Sequence, residues 1–394
     1  MEPTVQNQAV MATYNRFPLT IIKGRGSYVW DEQGNQFLDY TAGIATCNLG
    51  HVPDYVQERL QHQLDTLWHC SNLYHIPPQD KLATLLIEQS CADQVFFCNS
   101  GAEANEAAIK LARKYGKEAK GEDAYTIVTF TQSFHGRTLA TLSATGQAKI
   151  QQGFEPLVQG FQCLPYNNTE ALATIDPTKT CAILLEVVQG EGGVVPADPA
   201  WLDGIRSLCQ KENILLMIDE VQTGMGRTGS LFGYQQYGIQ PDVFTLAKGL
   251  GSGFPIGAVL AKAHVAACFQ AGSHGSTFGG NPLATTAGLA TLEYMLAHTI
   301  PEQAKTLGEY FVTKLAALQE TYAVIDTIRA AGLLMGIVIK DSDTALQIVT
   351  KARNNKLLVL LAGPQVVRIL PPLTTTKAEI DQAVTILDTC FSQL

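Results

Sequence analysis

Short apolar runs alternate with longer amphipathic stretches through most of the chain. Amphipathic stretches such as Ala104–Tyr115 and Pro199–Lys211 predict helices. The apolar runs are continuous rather than alternating, which is typical of strands that are covered on both faces. This pattern predicts an α/β fold with a mainly parallel sheet covered by helices, and a ligand site at the carboxyl ends of its strands. The runs are Val95–Phe97, Ile127–Phe130, Ala182–Val188, Ile214–Ile218, Val243–Leu246 and Ile256–Leu260.

The two ends of the chain follow a different pattern. Residues 20–40 predict a small antiparallel unit, because the polar segment 31–35 separates two apolar stretches and suits a turn. From about Pro301 onward the pattern predicts a helix, strands within 323–339, a second helix, strands at Leu357–Leu361 and Val366–Leu370, and a closing helix. This order of elements is typical of a compact α+β unit.

Charged residues are sparse in this chain of 394 residues. They make up 16% of the sequence, while 46% of residues are hydrophobic and 34 are glycine. Such a composition indicates either a large core with both sheet faces covered, or a face that is covered by another subunit. The formal net charge of −9 argues against a nucleic-acid partner, which normally requires clustered Lys and Arg.

Targeting signals are missing from the sequence. Met1–Ala12 is polar and contains no apolar core of a secretory signal, and no apolar run reaches the ~18 residues of a membrane span. The nine cysteines are scattered and include no Cys-x-x-Cys pair. We therefore expect reduced cysteines in a cytoplasmic protein, with no membrane contact and no metal site.

Small residues at 99–105 follow one predicted strand and open a predicted helix. The backbone N–H groups of such a junction, together with the helix dipole, can bind a phosphate. Ser100 could equally be an ordinary N-cap, and taken alone this motif favours that simpler interpretation.

Two charged residues stand where a buried strand ends. Asp219 follows Leu215–Ile218, so it requires a cationic or protonated partner, which could be an Arg or a protonated ring nitrogen of a cofactor. Lys248 follows Val243–Ala247 and precedes a glycine-rich segment. Partial burial there would make its amine a usable nucleophile, although a lysine that extends to solvent from a strand end is common.

Five motifs in this order resemble the class III pyridoxal-phosphate-dependent aminotransferases. The resemblance extends from Tyr14 to Pro372, and it implies the fold-type-I architecture of that family. The motifs are Asn99-Ser100-Gly101-Ala102-Glu103-Ala104, Ser133-Phe134-His135-Gly136-Arg137-Thr138, Ile218-Asp219-Glu220-Val221-Gln222-Thr223-Gly224, Ala247-Lys248-Gly249 and Ser276-Thr277-Phe278-Gly279-Gly280-Asn281-Pro282.

The resemblance implies a set of cofactor contacts. Lys248 would hold the aldehyde of pyridoxal 5'-phosphate and later move a proton, while Asp219 would keep the ring nitrogen protonated. The other implied contacts are Ser100, Gly101 and Ala102 with the phosphate, Phe134 stacked on the ring, and Gln222 with the ring hydroxyl.

The resemblance also implies two carboxylate sites for two alternating substrates. Arg137, assisted by Tyr14, would bind the α-carboxylate of the amino donor, and Arg368 would bind that of glutamate. Glu191 would pair with Arg368 while the donor is bound and move away for the diacid. A static ion pair of Glu191 and Arg368 is the alternative.

Residues Thr277 and Ser276 are similar to family residues that reach into the active site of the partner subunit. Thr277 would contact the partner's cofactor phosphate and Ser276 its substrate, which implies a homodimer with shared active sites. Ile44 takes a position where ornithine aminotransferases carry a tyrosine, and this favours an acylated ornithine over free ornithine.

We therefore expect transfer of the terminal amine of N2-acetyl-L-ornithine to 2-oxoglutarate, as in arginine biosynthesis. The alternatives are another ω-aminotransferase acting on succinylornithine, ornithine, succinyl-diaminopimelate or 4-aminobutyrate, an isomerase of the glutamate-1-semialdehyde aminomutase type, and a non-enzymatic binding protein. Intact Lys248 and Asp219 argue against the last of these. The expected domains are an N-terminal segment (1–50) that contributes to a small domain, a large cofactor-binding domain (51–295) and a C-terminal small domain (296–394).

Overall fold

The structure is a computed structural model of the chain, and it describes residues 9–394. The predicted segment 1–50 therefore includes eight residues that lie outside the described part. The strands, in chain order, are β1 (Ile21–Arg25), β2 (Tyr28–Asp31), β3 (Gln36–Asp39), β4 (Gln94–Cys98), β5 (Thr126–Phe130), β6 (Phe161–Leu164), β7 (Thr180–Leu185), β8 (Val188–Gln189), β9 (Val195–Pro196), β10 (Leu215–Asp219), β11 (Val243–Leu246), β12 (Gly257–Ala261), β13 (Ile325–Ala331), β14 (Leu334–Ile339), β15 (Leu357–Leu358), β16 (Leu360–Ala362) and β17 (Val366–Ile369).

Helices connect most of these strands, and Lys248–Leu250 forms a short 3-10 turn. The helices are α1 (Ala42–Ala45), α2 (Asp54–Leu64), α3 (Pro77–Glu88), α4 (Gly101–Lys120), α5 (Leu139–Ala144), α6 (Ala148–Gln151), α7 (Pro199–Glu212), α8 (Ala263–Ala266), α9 (Pro282–Ala297), α10 (Ile300–Thr321), α11 (Ser342–Asn354) and α12 (Lys377–Ser392). None of the helices within residues 9–394 is long and apolar enough to cross a membrane.

The central sheet has seven strands in the order β4-β12-β11-β10-β7-β5-β6. All neighbouring pairs are parallel except those of β12, which is antiparallel to both β4 and β11. The predicted mainly parallel sheet is confirmed, while the direction of β12 and the existence of β6 were not predicted. Residues 247–256 link β11 to β12, and this link is shorter than the crossover of about a dozen residues that parallel neighbours need.

Alternate residues of the central strands pack into two different cores. In β10, Leu216 and Ile218 belong to one apolar cluster, and Leu215 and Met217 belong to the other. Helix α7 contributes to the first cluster and α4 to the second. The sheet is therefore covered on both faces, which is why its strands read as continuous apolar runs.

One predicted strand ends earlier than expected. The run Ala182–Val188 was predicted as a single strand, but β7 ends at Leu185 and Val188 begins the separate strand β8. The chain leaves the sheet at Glu186, whose carboxylate accepts a hydrogen bond from the backbone N–H of Phe134. The strand ends before Glu186, because the buried carboxylate of this residue bonds to a partner outside the sheet.

Strands from both ends of the chain share a small sheet. Strands β1, β2 and β3 are antiparallel neighbours, as predicted for residues 20–40, and β15 adds to β3 in parallel. Asp31 closes the predicted turn, because its side chain accepts hydrogen bonds from the backbone N–H groups of Gln33 and Asn35. Strands β13, β14, β17 and β16 form a further sheet. The domain boundaries after residues 50 and 295 remain a prediction.

Candidate active site

A cavity of about 410 Å³ opens at the carboxyl ends of the central strands. Five strands end at its wall. Strands β4, β5, β7 and β11 are followed within a few residues by the lining residues Ser100, Phe134, Glu186 and Lys248, and the last residue of β10 is Asp219. Parallel strands bring their carboxyl ends to one edge of a sheet, so residues far apart in sequence meet there. The cavity therefore lies at the edge of the sheet where the ligand site is predicted.

The N-terminus of α4 faces this cavity. Ser100 is the N-cap, and its side chain accepts a hydrogen bond from the N–H of Glu103. Within residues 9–394 the N–H groups of Gly101 and Ala102 have no hydrogen-bond acceptor, and both residues line the cavity. A helix of 20 residues that begins in this way is a binding site for an anion such as a phosphate.

Asp219 is buried at the cavity wall and has three hydrogen-bond donors. Its Oδ2 is 2.8 Å from both Nδ1 of His135 and Nδ2 of Asn105, and its Oδ1 accepts from the N–H of Val221 at 3.0 Å. No Arg or Lys of the described chain lies within ion-pair distance of this carboxylate. Of the two partners considered from sequence, an Arg is therefore absent, and the open position suits a protonated ring nitrogen.

Lys248 follows β11 and has a left-handed backbone with φ of 39°. Burial lowers the pKa of its amine, and the positive charge of Arg368 also acts in that direction, while the carboxylates of Glu191 and Asp219 act against it. The pKa remains below its ordinary value, which increases the fraction of neutral, nucleophilic amine. No carboxylate of the described residues lies within ion-pair distance of this amine.

Glu191 and Arg368 form an ion pair next to the cavity. Arg368 donates from its two terminal nitrogens to Oε1 and Oε2 of Glu191 at 2.6 and 3.1 Å. Burial raises the pKa of Glu191, but the positive charges of Arg368 and Lys248 and the hydrogen bonds from Arg368 and Gln222 together outweigh it, so the pKa lies below its ordinary value. Glu191 lines the cavity, whereas Arg368 is not part of the lining and has 2% of its surface exposed.

Gln222 bridges this ion pair. Its amide nitrogen donates to Oε1 of Glu191 at 3.2 Å, and its amide oxygen accepts from Arg368 at 3.2 Å. The side chain lines the cavity, as expected for a cofactor contact, but its polar atoms already have protein partners. Gln222 therefore couples the ion pair to the cavity wall.

Phe134 and Arg137 form another part of the cavity wall. Both line the cavity, and the guanidinium carbon of Arg137 is 5.6 Å from the centre of the Phe134 ring. Arg137 is exposed and has no carboxylate partner within residues 9–394. Its guanidinium is therefore available for a carboxylate ligand.

The structure does not bring every predicted residue to the cavity. Tyr14 is 75% exposed and does not line it, and Thr277 is also exposed away from it. Ser276 reaches only its edge, where its Oγ accepts from the side chain of Asn99 at 3.2 Å. Ile44 is 42% exposed and is not part of the lining.

Several lining residues had no role in the sequence-based prediction, among them Thr46, Asn105, His135 and Glu186. Burial raises the pKa of Glu186 well above its ordinary value, and the negative charge of the nearby Asp219 adds to the rise. Glu186 carries the same sequence signal as Asp219, a polar residue directly after an apolar run. His135 and Asn105 lie inside motifs that were already noted.

Together these groups fit pyridoxal phosphate. The helix N-terminus suits the phosphate, the buried carboxylate of Asp219 suits the ring nitrogen, and Lys248 supplies an amine beside the same cavity. The cavity volume of about 410 Å³ is ordinary for a small-molecule site. Fold and site thus define a pyridoxal-phosphate-dependent enzyme of fold type I.

Comparison with known proteins gives the family. The chain belongs to the family described as Aminotransferase class-III, whose sequence profile matches residues 9–391. It is 59% identical over 377 residues to the acetylornithine aminotransferase of Oceanobacillus iheyensis, covering 96% of this chain and 94% of that protein. The protein is an aminotransferase that uses pyridoxal phosphate.

Solved structures agree with this assignment. The ornithine aminotransferase of Toxoplasma gondii ME49 superposes with a TM-score of 0.94 at 33% identity, covering 98% of this chain and 93% of the other. The N-acetylornithine aminotransferase of Stenotrophomonas maltophilia K279a gives a TM-score of 0.84 at 36% identity, covering 96% and 97% of the two chains. The expected fold class is confirmed.

Proposed function

We propose that this aminotransferase moves the terminal amine of N2-acetyl-L-ornithine to 2-oxoglutarate, giving N-acetyl-L-glutamate 5-semialdehyde and L-glutamate in arginine biosynthesis. The proposal rests on one observation: a single cavity has two guanidinium groups near it that differ in how accessible they are. Arg137 is open to the cavity, whereas Arg368 is reached only through Glu191. An enzyme that alternates between a monocarboxylate donor and a dicarboxylate acceptor needs this asymmetry. The names of the similar proteins support the same substrate.

The residues of the chain divide the work as follows. Arg137, with Tyr14, binds the α-carboxylate of the donor, and the closed pair of Glu191 and Arg368 keeps the second site neutral during that half of the reaction. When 2-oxoglutarate enters, Glu191 moves away and Arg368 binds its α-carboxylate through two parallel hydrogen bonds. A static pair would leave the second carboxylate without a partner.

Proton movement is assigned to Lys248. When bound, pyridoxal phosphate takes up the electron pair that is released as a C–H bond next to the transferred nitrogen breaks. Lys248 holds the cofactor at rest, and its amine then carries the proton between substrate and cofactor. The lowered pKa of Lys248 suits both tasks, because a neutral amine is needed to accept the proton.

The other cofactor contacts are assigned from the family resemblance, and the cavity lining supports them. The N–H groups of Gly101 and Ala102, with Ser100, bind the phosphate, and Asp219 keeps the ring nitrogen protonated. Phe134 stacks on the ring, and Gln222 contacts the ring hydroxyl through the amide hydrogen that Glu191 does not use. All six residues line the cavity.

A homodimer completes the site in this proposal. Thr277 lies beside an exposed apolar surface that includes Trp68, Leu73, Tyr74 and Phe278, whose exposures range from 61% to 88%. The side chain of Asn72 ties the two segments together by donating to the backbone oxygens of Ser276 and Gly279. A second copy of the chain would cover this surface and would bring its Thr277 to the phosphate and its Ser276 to the substrate.

The cytoplasm is the compartment that we infer. All nine cysteines are free, and no two of them are joined by a disulfide. Unpaired cysteines in this number are typical of a reducing compartment.

A panel of amino donors tests the substrate. The holoenzyme is assayed with 2-oxoglutarate and with N-acetylornithine, N-succinylornithine, ornithine, succinyl-diaminopimelate or 4-aminobutyrate, and glutamate formation gives kcat/KM for each. We expect the highest value with N-acetylornithine. A higher value with ornithine or 4-aminobutyrate would overturn the substrate assignment. Conversion of glutamate-1-semialdehyde without 2-oxoglutarate would instead identify the isomerase.

A further inference from the structure

Asn105 connects the two ends of the cofactor site. It lies on α4, four residues after Gly101, and 1% of its surface is exposed. Four residues correspond to a rise of about 6 Å along a helix. The helix that presents N–H groups to an anion therefore also places this side chain against the carboxylate of Asp219.

The orientation of the Asn105 amide is determined by its partners. Its Nδ2 is 2.8 Å from the backbone oxygen of His135, which can only accept, so the NH₂ group must face that side. The second hydrogen of the same nitrogen goes to Oδ2 of Asp219, also at 2.8 Å. Both hydrogens of the amide are thereby used.

Thr245 holds the other half of the amide. Its hydroxyl donates to Oδ1 of Asn105 at 2.8 Å. Thr245 is the residue of β11 that pairs with Asp219 of β10, and it is 1% exposed. A chain of hydrogen bonds therefore runs in one direction from Thr245 through Asn105 to Asp219.

These bonds make the two oxygens of Asp219 unequal. Oδ2 accepts from Asn105 and from His135, which fills its two lone-pair sites, whereas Oδ1 accepts only from the N–H of Val221. Oδ1 therefore keeps one free site. If the Asn105 amide were removed, or flipped so that its oxygen and nitrogen exchanged places, Oδ2 of Asp219 would lose a donor. The Asp219 carboxylate could then rotate.

We propose that Asn105, oriented by Thr245, is a positioning residue that fixes the Asp219 carboxylate so that Oδ1 faces the ring nitrogen of the cofactor. This inference rests on the proposed role of Asp219 at that nitrogen, and it does not depend on which amino donor is used. Helix α4 also sets the distance between the phosphate site and the ring-nitrogen site, because this one rigid helix carries Gly101 at the first and Asn105 at the second. A residue that only filled space in the core would need neither the direction nor the polarity of these bonds.

Four variants of the holoenzyme test the proposal. Asn105→Ala removes the amide, Thr245→Val removes only the hydroxyl, Thr245→Ser keeps it, and the double variant Asn105→Ala/Thr245→Val combines both losses. Thr291→Val is the matched control, because Thr291 is a fully buried threonine on α9 whose hydroxyl has no partner within residues 9–394. Each variant is measured for kcat and KM, for the Kd of pyridoxal phosphate with apoenzyme, and for Tm.

The expected pattern is a loss of kcat with little change in KM. A hydrogen bond to a charged group predicts a fall in kcat of roughly 10- to 100-fold for Asn105→Ala, with the Kd of pyridoxal phosphate raised about tenfold. Thr245→Val should show a smaller loss of the same kind. Thr245→Ser, which keeps the hydroxyl, should retain the wild-type kcat and Kd. Thr245 acts only through Asn105, so the double variant should match Asn105→Ala.

Three outcomes would overturn the inference. The first is that Asn105→Ala lowers Tm while kcat and the Kd of pyridoxal phosphate stay at the wild-type values. The second is that Thr245→Val and Thr245→Ser behave alike, and the third is that the double variant adds the two single losses. If Asn105→Ala does not fold, the Thr245 pair alone decides between these results. Failure of the donor assignment is separate, because the comparison can be run with whichever donor the wild-type enzyme accepts.

Discussion

Glu191 and Arg368 are joined by two hydrogen bonds of 2.6 and 3.1 Å, and Glu191 lines the cavity while Arg368 does not. In the proposed reaction the pair opens when a ligand binds to Arg368, because only 2% of the surface of Arg368 is exposed in the closed pair. Gln222 contacts both partners and lies at the cavity wall. The pair is therefore placed to respond to which substrate is bound.

Glu191→Gln should separate the two halves of the reaction. With the negative charge removed, Arg368 is available without competition, and the KM for 2-oxoglutarate should fall roughly tenfold, the value of a hydrogen bond between charged groups. The kcat/KM for N-acetylornithine should fall, because an open Arg368 attracts the donor's carboxylate to the wrong site. Steady-state kinetics with each substrate varied in turn measures both effects.

A surface ion pair provides the control for this variant. Glu293 faces Arg59 at 3.5 Å on an exposed face, so Glu293→Gln should leave both constants unchanged. An unchanged or higher KM for 2-oxoglutarate in Glu191→Gln would show that the pair is static.

Gly101→Ala should weaken cofactor binding through a specific collision. A Cβ atom at Gly101 would lie 2.8 Å from Cγ1 and 3.0 Å from Cγ2 of Val221, so the first turn of α4 must shift away from the loop after Asp219. Overpacking of this kind costs about 1–3 kcal/mol, which predicts a Kd for pyridoxal phosphate raised by roughly 10- to 100-fold. Fluorescence titration of apoenzyme with the cofactor measures this change.

The collision can be relieved at its other partner. Val221→Ala in the Gly101→Ala background should recover most of the affinity, because the two methyl groups that collide are then absent. Gly204→Ala is the control, since a Cβ atom there would have only Cδ1 of Leu172 within 4 Å, at an ordinary contact distance of 3.8 Å, and Gly204 lies on α7 outside the cavity lining. No recovery in the double variant would mean that the Gly101 backbone, and not its contact with Val221, limits the site.

His51 should contribute stability that depends on pH. Its Nε2 is 2.7 Å from Oδ2 of Asp39, and this bond, with a further contribution from Cys47, raises the pKa of His51 to about 10. The folded state therefore binds the proton more tightly than the unfolded state, whose pKa is about 6.5. The stabilisation is fully present below about pH 6.5 and is lost as pH rises through about 10.

Urea unfolding of wild type and His51→Gln at several pH values measures this contribution. The difference in unfolding free energy should be largest near pH 6 and should shrink steadily towards pH 10. His75→Gln is the matched control, because the side chain of His75 is fully exposed. A difference that does not change with pH would contradict an ionic role for His51.

Asp39 also links His51 to the backbone beside the active site. Its Oδ1 accepts hydrogen bonds from the N–H groups of Thr41 and Ala42, where a left-handed turn over residues 42–45 begins. This turn leads to Thr46 at the cavity. Left-handed backbone at Ala42, Ile44 and Ala45 is unfavourable, so the surrounding contacts must hold it.

Sequence patterns predicted the site residues that come directly after an apolar strand. Asp219 and Lys248 each follow an apolar run, and a parallel sheet brings such ends together whatever their separation along the chain. The actual partner of Asp219 was not predictable in this way, because His135 and Asn105 come from other elements. Glu186 was missed because it was assigned to the interior of a strand. Tyr14 and Thr277 line no cavity in a single chain, and their predicted roles need a second copy or a bound substrate.

Two inactive variants should restore activity when they are mixed, if Thr277 serves the partner subunit. Lys248→Ala removes the amine of its own site, and Thr277→Glu places a negative charge where the phosphate of the opposite site would lie. A mixed dimer then contains one site with both changes and one site with neither. Unfolding and refolding the two variants together should recover about a quarter of wild-type activity, since half of randomly formed two-fold dimers are mixed and each has one intact site. Mixtures of each variant with itself are the controls. If Thr277 instead acted in its own subunit, each site of the mixed dimer would carry one change, and the mixture would stay as inactive as its components.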